Sequence, residues 1–201
     1  LWVMLLILQS IVLMQVQQSI GKDIYKGIFM KEIIINDCQL TDEEMESSVV
    51  RVKGLMINSR GKILLAHNNN TYQFPGGHLD DGEKMDECIV REIKEETGIN
   101  VTVTEEPFLC IKTYDPDYFG TGKKVINSIY YYRFFTDDLP NFQETHYDEL
   151  ELATDFNLFY VVFADLENFL KKSIDDGMID PNIGREMIHV YQIYNEMFGG
   201  F

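Results

Sequence analysis

Cysteine is scarce in this chain. Cys38, Cys88 and Cys110 are the only three in 201 residues, widely separated and without a CxxC pair. They support neither a disulfide framework nor a thiolate zinc site, and the expectation is three reduced, buried thiols in a cytoplasmic protein. Basic residues are also few: 17 Lys and Arg stand against 33 Asp and Glu, a net charge of −16. Such a field repels phosphate backbones, which argues against DNA as a partner, and it suits cations or anionic substrates that arrive carrying a metal. Long apolar runs are missing as well. Residues 1–14 (LWVMLLILQSIVLM) are apolar apart from Gln9 and Ser10, short of the roughly 18–20 residues that span a bilayer. No basic residue precedes that run and no small-residue cleavage site follows it, so the marks of a secretory signal are absent. No internal repeat or low-complexity linker interrupts the rest.

What is present suits a globular protein with a real core. Hydrophobic residues make up 45% and aromatics 12%, and the length fits one domain at about 150 residues each. Lys26–Met30 (KGIFM) back-translates to a purine-rich stretch just upstream of a Met codon, as a ribosome-binding site would. The expectation is that residues 1–29 are an untranslated leader or a hydrophobic N-terminal extension, and that residues 30–201 form a single domain.

From Met30 the pattern is mixed α/β. Strands are expected at Glu32–Asn36, Ser48–Ile57, Lys62–His67, Asn100–Thr104, Phe108–Tyr114, Val125–Thr136 and Asn157–Phe163, with a hairpin turn at Asn58–Gly61. Helices are expected at Met85–Thr97, which Gly98 stops, at Ala164–Lys172, and at Asn182–Phe198 behind Pro181.

Gly77–Ile99 reads GHLDDGEKMDECIVREIKEETGI and holds eight acids against three bases. On a helix of about 100° per residue, Glu92, Glu95 and Glu96 share an arc of about 100°. Met85, Cys88 and Ile89 project beside that arc, so the acids sit at the edge of the packed face. Clustered carboxylates on a partly dry face repel one another and lose hydration. A divalent cation resolves the conflict, and all-oxygen donors favour Mg²⁺ or Mn²⁺. Arg91 can hold the carboxylates by forked hydrogen bonds, and Glu83 in the preceding loop can reach back to them.

The spacing G-x5-E-x7-R-E-U-x-E-E-x-G-U, with U apolar, is filled at all nine positions by Gly77, Glu83, Arg91, Glu92, Ile93, Glu95, Glu96, Gly98 and Ile99. A chance match in a chain of this composition is on the order of one in ten million. The segment resembles the Nudix box of the Nudix hydrolase superfamily, and Phe74-Pro75-Gly76-Gly77 is similar to the usual lead-in. The resemblance implies an α/β/α sandwich with a mixed β-sheet between helices. It also implies Mg²⁺- or Mn²⁺-dependent hydrolysis of a nucleoside diphosphate linked to another group X, giving a nucleoside monophosphate and phosphate-X. Carried over by position, Glu92, Glu95, Glu96 and the backbone of Gly77 are metal ligands, Arg91 orients them, and Glu83 is a supporting ligand or base. The general base stays open between Glu95 and an acid of Glu144–Glu151.

Substrate choice in such proteins lies outside the box. Phe74, Tyr114, Tyr118 and Lys123 are the candidate substrate contacts, with core packing or a solvated loop as the alternatives. The partner implied is a small nucleotide, and the family's frequent dimers make a homodimer an expectation. A nucleotide sensor without turnover and an RNA 5′-end pyrophosphohydrolase are the competing functions.

Overall fold

A computed structural model describes residues 30–68, 71–147 and 156–200; the expectation for residues 1–29 lies outside them. Runs with two-residue alternation became strands: β1 (Lys31–Ile35), β2 (Ser47–Ile57), β3 (Lys62–Asn68), β4 (Thr71–Gln73), β5 (Leu109–Asp115), β6 (Val125–Phe135) and β7 (Asn157–Val162). Those with helical spacing became α1 (Met85–Thr97), α2 (Leu166–Asp175) and α3 (Pro181–Phe198). The Asp180 carboxylate starts α3 by accepting the amides of Asn182 and Ile183, and Pro181 fills the first turn, where an amide is not needed.

The strands form one mixed sheet. β1 runs parallel to β5, β5 antiparallel to β6, β6 parallel to β2, and β2 antiparallel to β3. β7 pairs with one edge of β3, while β2 and β4 share the other. Alternation along each strand then divides the core in two. Val52, Met56, Leu64, Tyr132 and Phe134 pack against Cys88, Ile89 and Ile93 of α1. Leu55, Ile57, Leu65, Ile129 and Tyr131 face the opposite way, onto Leu166 and Leu170 of α2 and Met187 and Val190 of α3. The result is the expected sandwich of a mixed sheet between helices.

One feature of β2 positions the box. Only Met56 and Ile57, next to the turn, pair with β3. Further along, β2 bonds the box loop instead: Val52 N donates to Gly77 O at 3.0 Å, Gly54 N to Pro75 O at 2.8 Å, and Leu79 N to Val50 O at 3.0 Å. Gly76 must be glycine here, because its φ is +132° and a Cβ would lie 2.2 Å from the Val52 carbonyl oxygen.

Three expectations need correction. Asn100–Thr104 is not a strand; Val101 and Val103 pack beside the α1 cluster, but β1 already occupies the outer edge of β5, so this segment finds no ladder. Phe163–Asp165 is a 3₁₀ turn, and α2 begins only at Leu166. Cys38 is exposed, while Cys88 and Cys110 are buried as expected; all three are free.

Gly98 ends α1 with φ of +70°, and a Cβ there would fall 2.1 Å from the Asn141 carbonyl oxygen. Replacing it with alanine is expected to cost about 2 kcal/mol or more, from left-handed backbone strain plus displacement of the 141–146 segment. The melting temperature should fall by at least about 4 °C, and an unchanged melting curve would contradict this contact.

Candidate active site

The acidic cluster is organised by one guanidinium. Arg91 Nε and Nη2 donate to the two carboxylate oxygens of Glu83, each at 2.8 Å. Its Nη1 donates to Glu92 Oε1 at 2.8 Å and to Glu95 Oε2 at 3.2 Å, and Nη2 also reaches the His78 carbonyl at 3.2 Å. The i, i+4 step brings Glu95 over Arg91. Glu83 arrives from the loop, whose turn is held by Glu83 N donating to Asp80 O at 3.1 Å.

Glu96 turns the other way. It is 4% exposed, and its Oε2 accepts the Gly76 amide at 3.0 Å. Gly77 leaves the room that Glu92 fills: a Cβ at Gly77 would lie 2.4 Å from that carboxylate. The Gly77 carbonyl accepts the Val52 amide, and the Gly76 carbonyl accepts Lys53 Nζ at 2.8 Å. The box loop is thereby fixed to both α1 and β2.

Exposure separates the acids. The Glu92 side chain is 14% exposed, Glu83 15% and Glu95 37%. Burial pushes the Glu92 carboxyl up, against the opposing pull of Arg91. Hydrogen bonds from Arg91 hold Glu83 down at about 2, and the same bonds raise the guanidinium. Burial lifts the Cys88 thiol to about 12, which makes it an inert packing group.

These residues fit a hard divalent cation. The donors are oxygens, they lie where α1 meets the box loop, and Glu92 is a desolvated carboxylate whose charged form a cation would favour. Among the described residues the acids are not already gathered around a common point; they engage Arg91 and the Gly76 amide instead.

Two cations went unnoticed in the sequence. Arg51 and Lys53 sit two apart on β2 and so point to the same face. The signal was there, as two charges at alternate positions of an otherwise apolar strand. Lys53 is 9% exposed and also donates to Gln73 Oε1 at 3.0 Å. Burial lowers its pKa, with Glu96 pulling it back up. Arg51 donates from Nε to His78 Nε2 and from Nη2 to the Tyr118 hydroxyl, both at 3.0 Å. His78 is thus an acceptor, and burial and the Arg51 charge both lower its pKa.

Arg51 and Lys53 lead into a cavity of about 760 Å³ between the sheet and the start of α3. Phe74 and Tyr118 line it, Phe74 being buried edge-on against Tyr131. Phe119 lines it too, exposed and with φ of +52°. Tyr114 and Lys123 are not brought to it. The Tyr114 hydroxyl donates to Asp42 at 2.5 Å, and Lys123 lies exposed beyond the Tyr118–Gly120 turn.

The segment after β6 returns to α1. Asn141 N donates to Thr97 O at 2.9 Å and His146 N to Glu95 O at 3.0 Å, while Glu144 pairs with Lys94. That pairing lowers the Glu144 pKa. The other acids of Glu144–Glu151 fall outside the described residues.

The NUDIX domain family matches residues 48–177. The chain is 24% identical over 125 residues to an RNA pyrophosphohydrolase of a Brugia malayi Wolbachia, covering 61% of this chain and 73% of that one. It is 42% identical over 50 residues to an NAD-capped RNA hydrolase, NudC, of Vibrio atlanticus; this spans 23% of the chain but only 19% of that relative's length. A MutT protein of Methanosarcina mazei Go1 superposes with a TM-score of 0.49 at 18% identity, over 74% of this chain and 96% of that one. Among the described residues no helix is long and apolar enough to cross a membrane.

Arg91 also sets an acid limit. The pKa of Glu83 is about 2 in the fold against an ordinary 4.5, so its ionised form stabilises the protein above about pH 4.5. That contribution is lost as pH falls from there toward 2. Urea midpoints at about pH 5 and about pH 3 should therefore differ less in Glu83→Gln than in the wild type. Equal differences would contradict the Arg91–Glu83 pairing.

Proposed function

The chain belongs to the NUDIX domain family, and on that premise we propose that it hydrolyses a nucleoside diphosphate linked to a group X, releasing a nucleoside monophosphate and phosphate-X. The observation that carries this reading is the junction of two features. Glu83, Glu92 and Glu95 are gathered on Arg91, and Lys53 bridges from the same loop to a nucleotide-sized cavity.

Each residue then has a physical role. Glu92, Glu95 and Glu96 would hold Mg²⁺ or Mn²⁺, which supplies Lewis-acid neutralisation at the diphosphate when bound. Arg91 aims Glu92 and Glu95 by its hydrogen bonds, and the Gly76 amide does the same for Glu96. Lys53 fixes the Gly76 carbonyl and adds positive charge where the phosphates enter. Glu95, more open than Glu83, Glu92 and Glu96, is the base that draws the proton from the attacking water. Glu83 is held at about 2 by Arg91 and Glu144 is spent on Lys94, so both are weaker bases.

An RNA 5′-end reading is favoured by the names of two relatives and opposed by the net charge of −16. A homodimer and a cytoplasmic location remain part of the proposal.

Glu95→Gln and Glu96→Gln should each lower turnover by about 10²–10⁴-fold, with the melting temperature nearly unchanged. A panel with Mg²⁺ or Mn²⁺ would cover dNTPs, ADP-ribose, sugar nucleotides, dinucleoside polyphosphates and a 5′-triphosphate RNA. Wild-type rates in either variant would overturn the site. Tight nucleotide binding without turnover of any substrate would favour a sensor.

A further inference from the structure

The turn between β5 and β6 carries an apolar ring where folding gains little from one. Phe119 is 76% exposed, the most open large apolar side chain among the described residues. Its φ is +52°, a left-handed conformation that an aromatic residue adopts at a cost and glycine adopts freely. Gly120 and Gly122 take the same region at +70° and +75°. Local backbone energy therefore favours glycine at 119 as well, and a strained residue kept beside a cavity points to function. The turn itself is firm. Tyr118 N donates to Lys123 O at 2.9 Å, Gly120 N to Asp117 O at 3.0 Å, and Gly122 N to Asp117 Oδ1 at 2.6 Å.

Phe119 lines the cavity together with Tyr118 and Arg51. Its ring stands at 68° to that of Tyr118, with centroids 4.5 Å apart, and the Arg51 guanidinium lies 5.8 Å from its centre. Arg51 also donates to the Tyr118 hydroxyl and to His78 of the box loop, each at 3.0 Å. One arginine thus joins the box loop to the aromatic pair. The cavity wall carries donors at Gln73, Asn182 and Arg185 as well as acceptors at Asp115 and Glu186, so its polar groups single out no base edge. The exposed ring offers a flat π-surface instead, which any base can meet with its own. The group X differs among nucleoside diphosphate derivatives, whereas the base is the planar group they share.

We infer that Phe119 is the residue on which the nucleobase of the substrate stacks, so that the base is held by its plane rather than read at its edge. The inference rests on the nucleotide-hydrolase reading and deepens it: the base lies at the β5–β6 turn, and the site tolerates any base. Because the turn is already closed by its own hydrogen bonds, the ring is presented with little ordering cost on binding.

Calorimetric binding of AMP, UMP and ribose 5-phosphate to the full chain tests this without turnover. Phe119→Gly should weaken both nucleotides about tenfold and leave ribose 5-phosphate, which has no base, within about twofold. The same variant should melt no lower than the wild type, because the left-handed strain is gone; a ring needed only for packing would lower the melting temperature instead. Phe119→Trp keeps a π-face and adds a reporter to a chain whose own tryptophan is Trp2. AMP should quench its emission beyond the wild-type background, and ribose 5-phosphate should not. Unchanged nucleotide affinity in Phe119→Gly, an equal loss for ribose 5-phosphate, or a Phe119→Trp chain that binds AMP without quenching overturns the inference. A loss confined to one base overturns the tolerance. Wild-type hydrolysis of a nucleoside diphosphate derivative, combined with unchanged AMP affinity in Phe119→Gly, removes the Phe119 inference alone. Absence of both nucleotide binding and turnover in the wild type removes the functional reading with it.

Discussion

Holding four carboxylates together at a half-dry junction is the constraint to which the rest of the site answers. Burial raises Glu92, the Arg91 guanidinium pulls it back down, and the Glu95 charge adds to the rise. A partly buried charge left without a partner costs about 3–5 kcal/mol, so each acid here has a partner. Arg91 takes Glu83, Glu92 and Glu95, and the Gly76 amide takes Glu96. The planar fork of arginine serves three carboxylates with four hydrogen bonds, one more than the three donors of a lysine allow. The same arrangement leaves the cluster short of positive charge, which is the electrostatic condition for a divalent cation.

The sheet supplies the rigidity that this arrangement needs. β2 pairs with β3 only at Met56 and Ile57, and earlier along the strand it binds Pro75, Gly77 and Leu79 instead. Its two faces then do different things. Val52 and Met56 anchor α1 from below, whereas Arg51 and Lys53 reach to the cavity side. One strand therefore registers the acidic helix on one face against a cationic entrance on the other. The 141–146 segment closes the far end of α1 through Thr97 and Glu95.

Much of the site was legible because its logic is local. The helix Met85–Thr97 was delimited by glycine and helical spacing, and the convergence of Glu92, Glu95 and Arg91 follows from one turn of helix. Glu83 was identified from its spacing, though not its bidentate hold on Arg91. Less legible were contacts between segments remote in sequence. Arg51 and Lys53 carried a period-two signal, but nothing local said that this face borders the box. Tyr114 and Tyr118 looked equivalent by composition; register sends one to Asp42 and the other to Arg51. The alternation at Asn100–Thr104 was real, but it met no free strand edge.

The sequence by itself determined the family, the acidic helix and the mixed α/β class, because these depend on spacings within a turn of helix or a few residues of strand. Tertiary structure alone set which strand edge the box occupies and joined the box loop to the cavity through Lys53. Those facts depend on the parallel pairing of β2 with β6 and on α3 closing over the sheet. Such contacts are set by the shared burial of distant segments, and no local pattern encodes them.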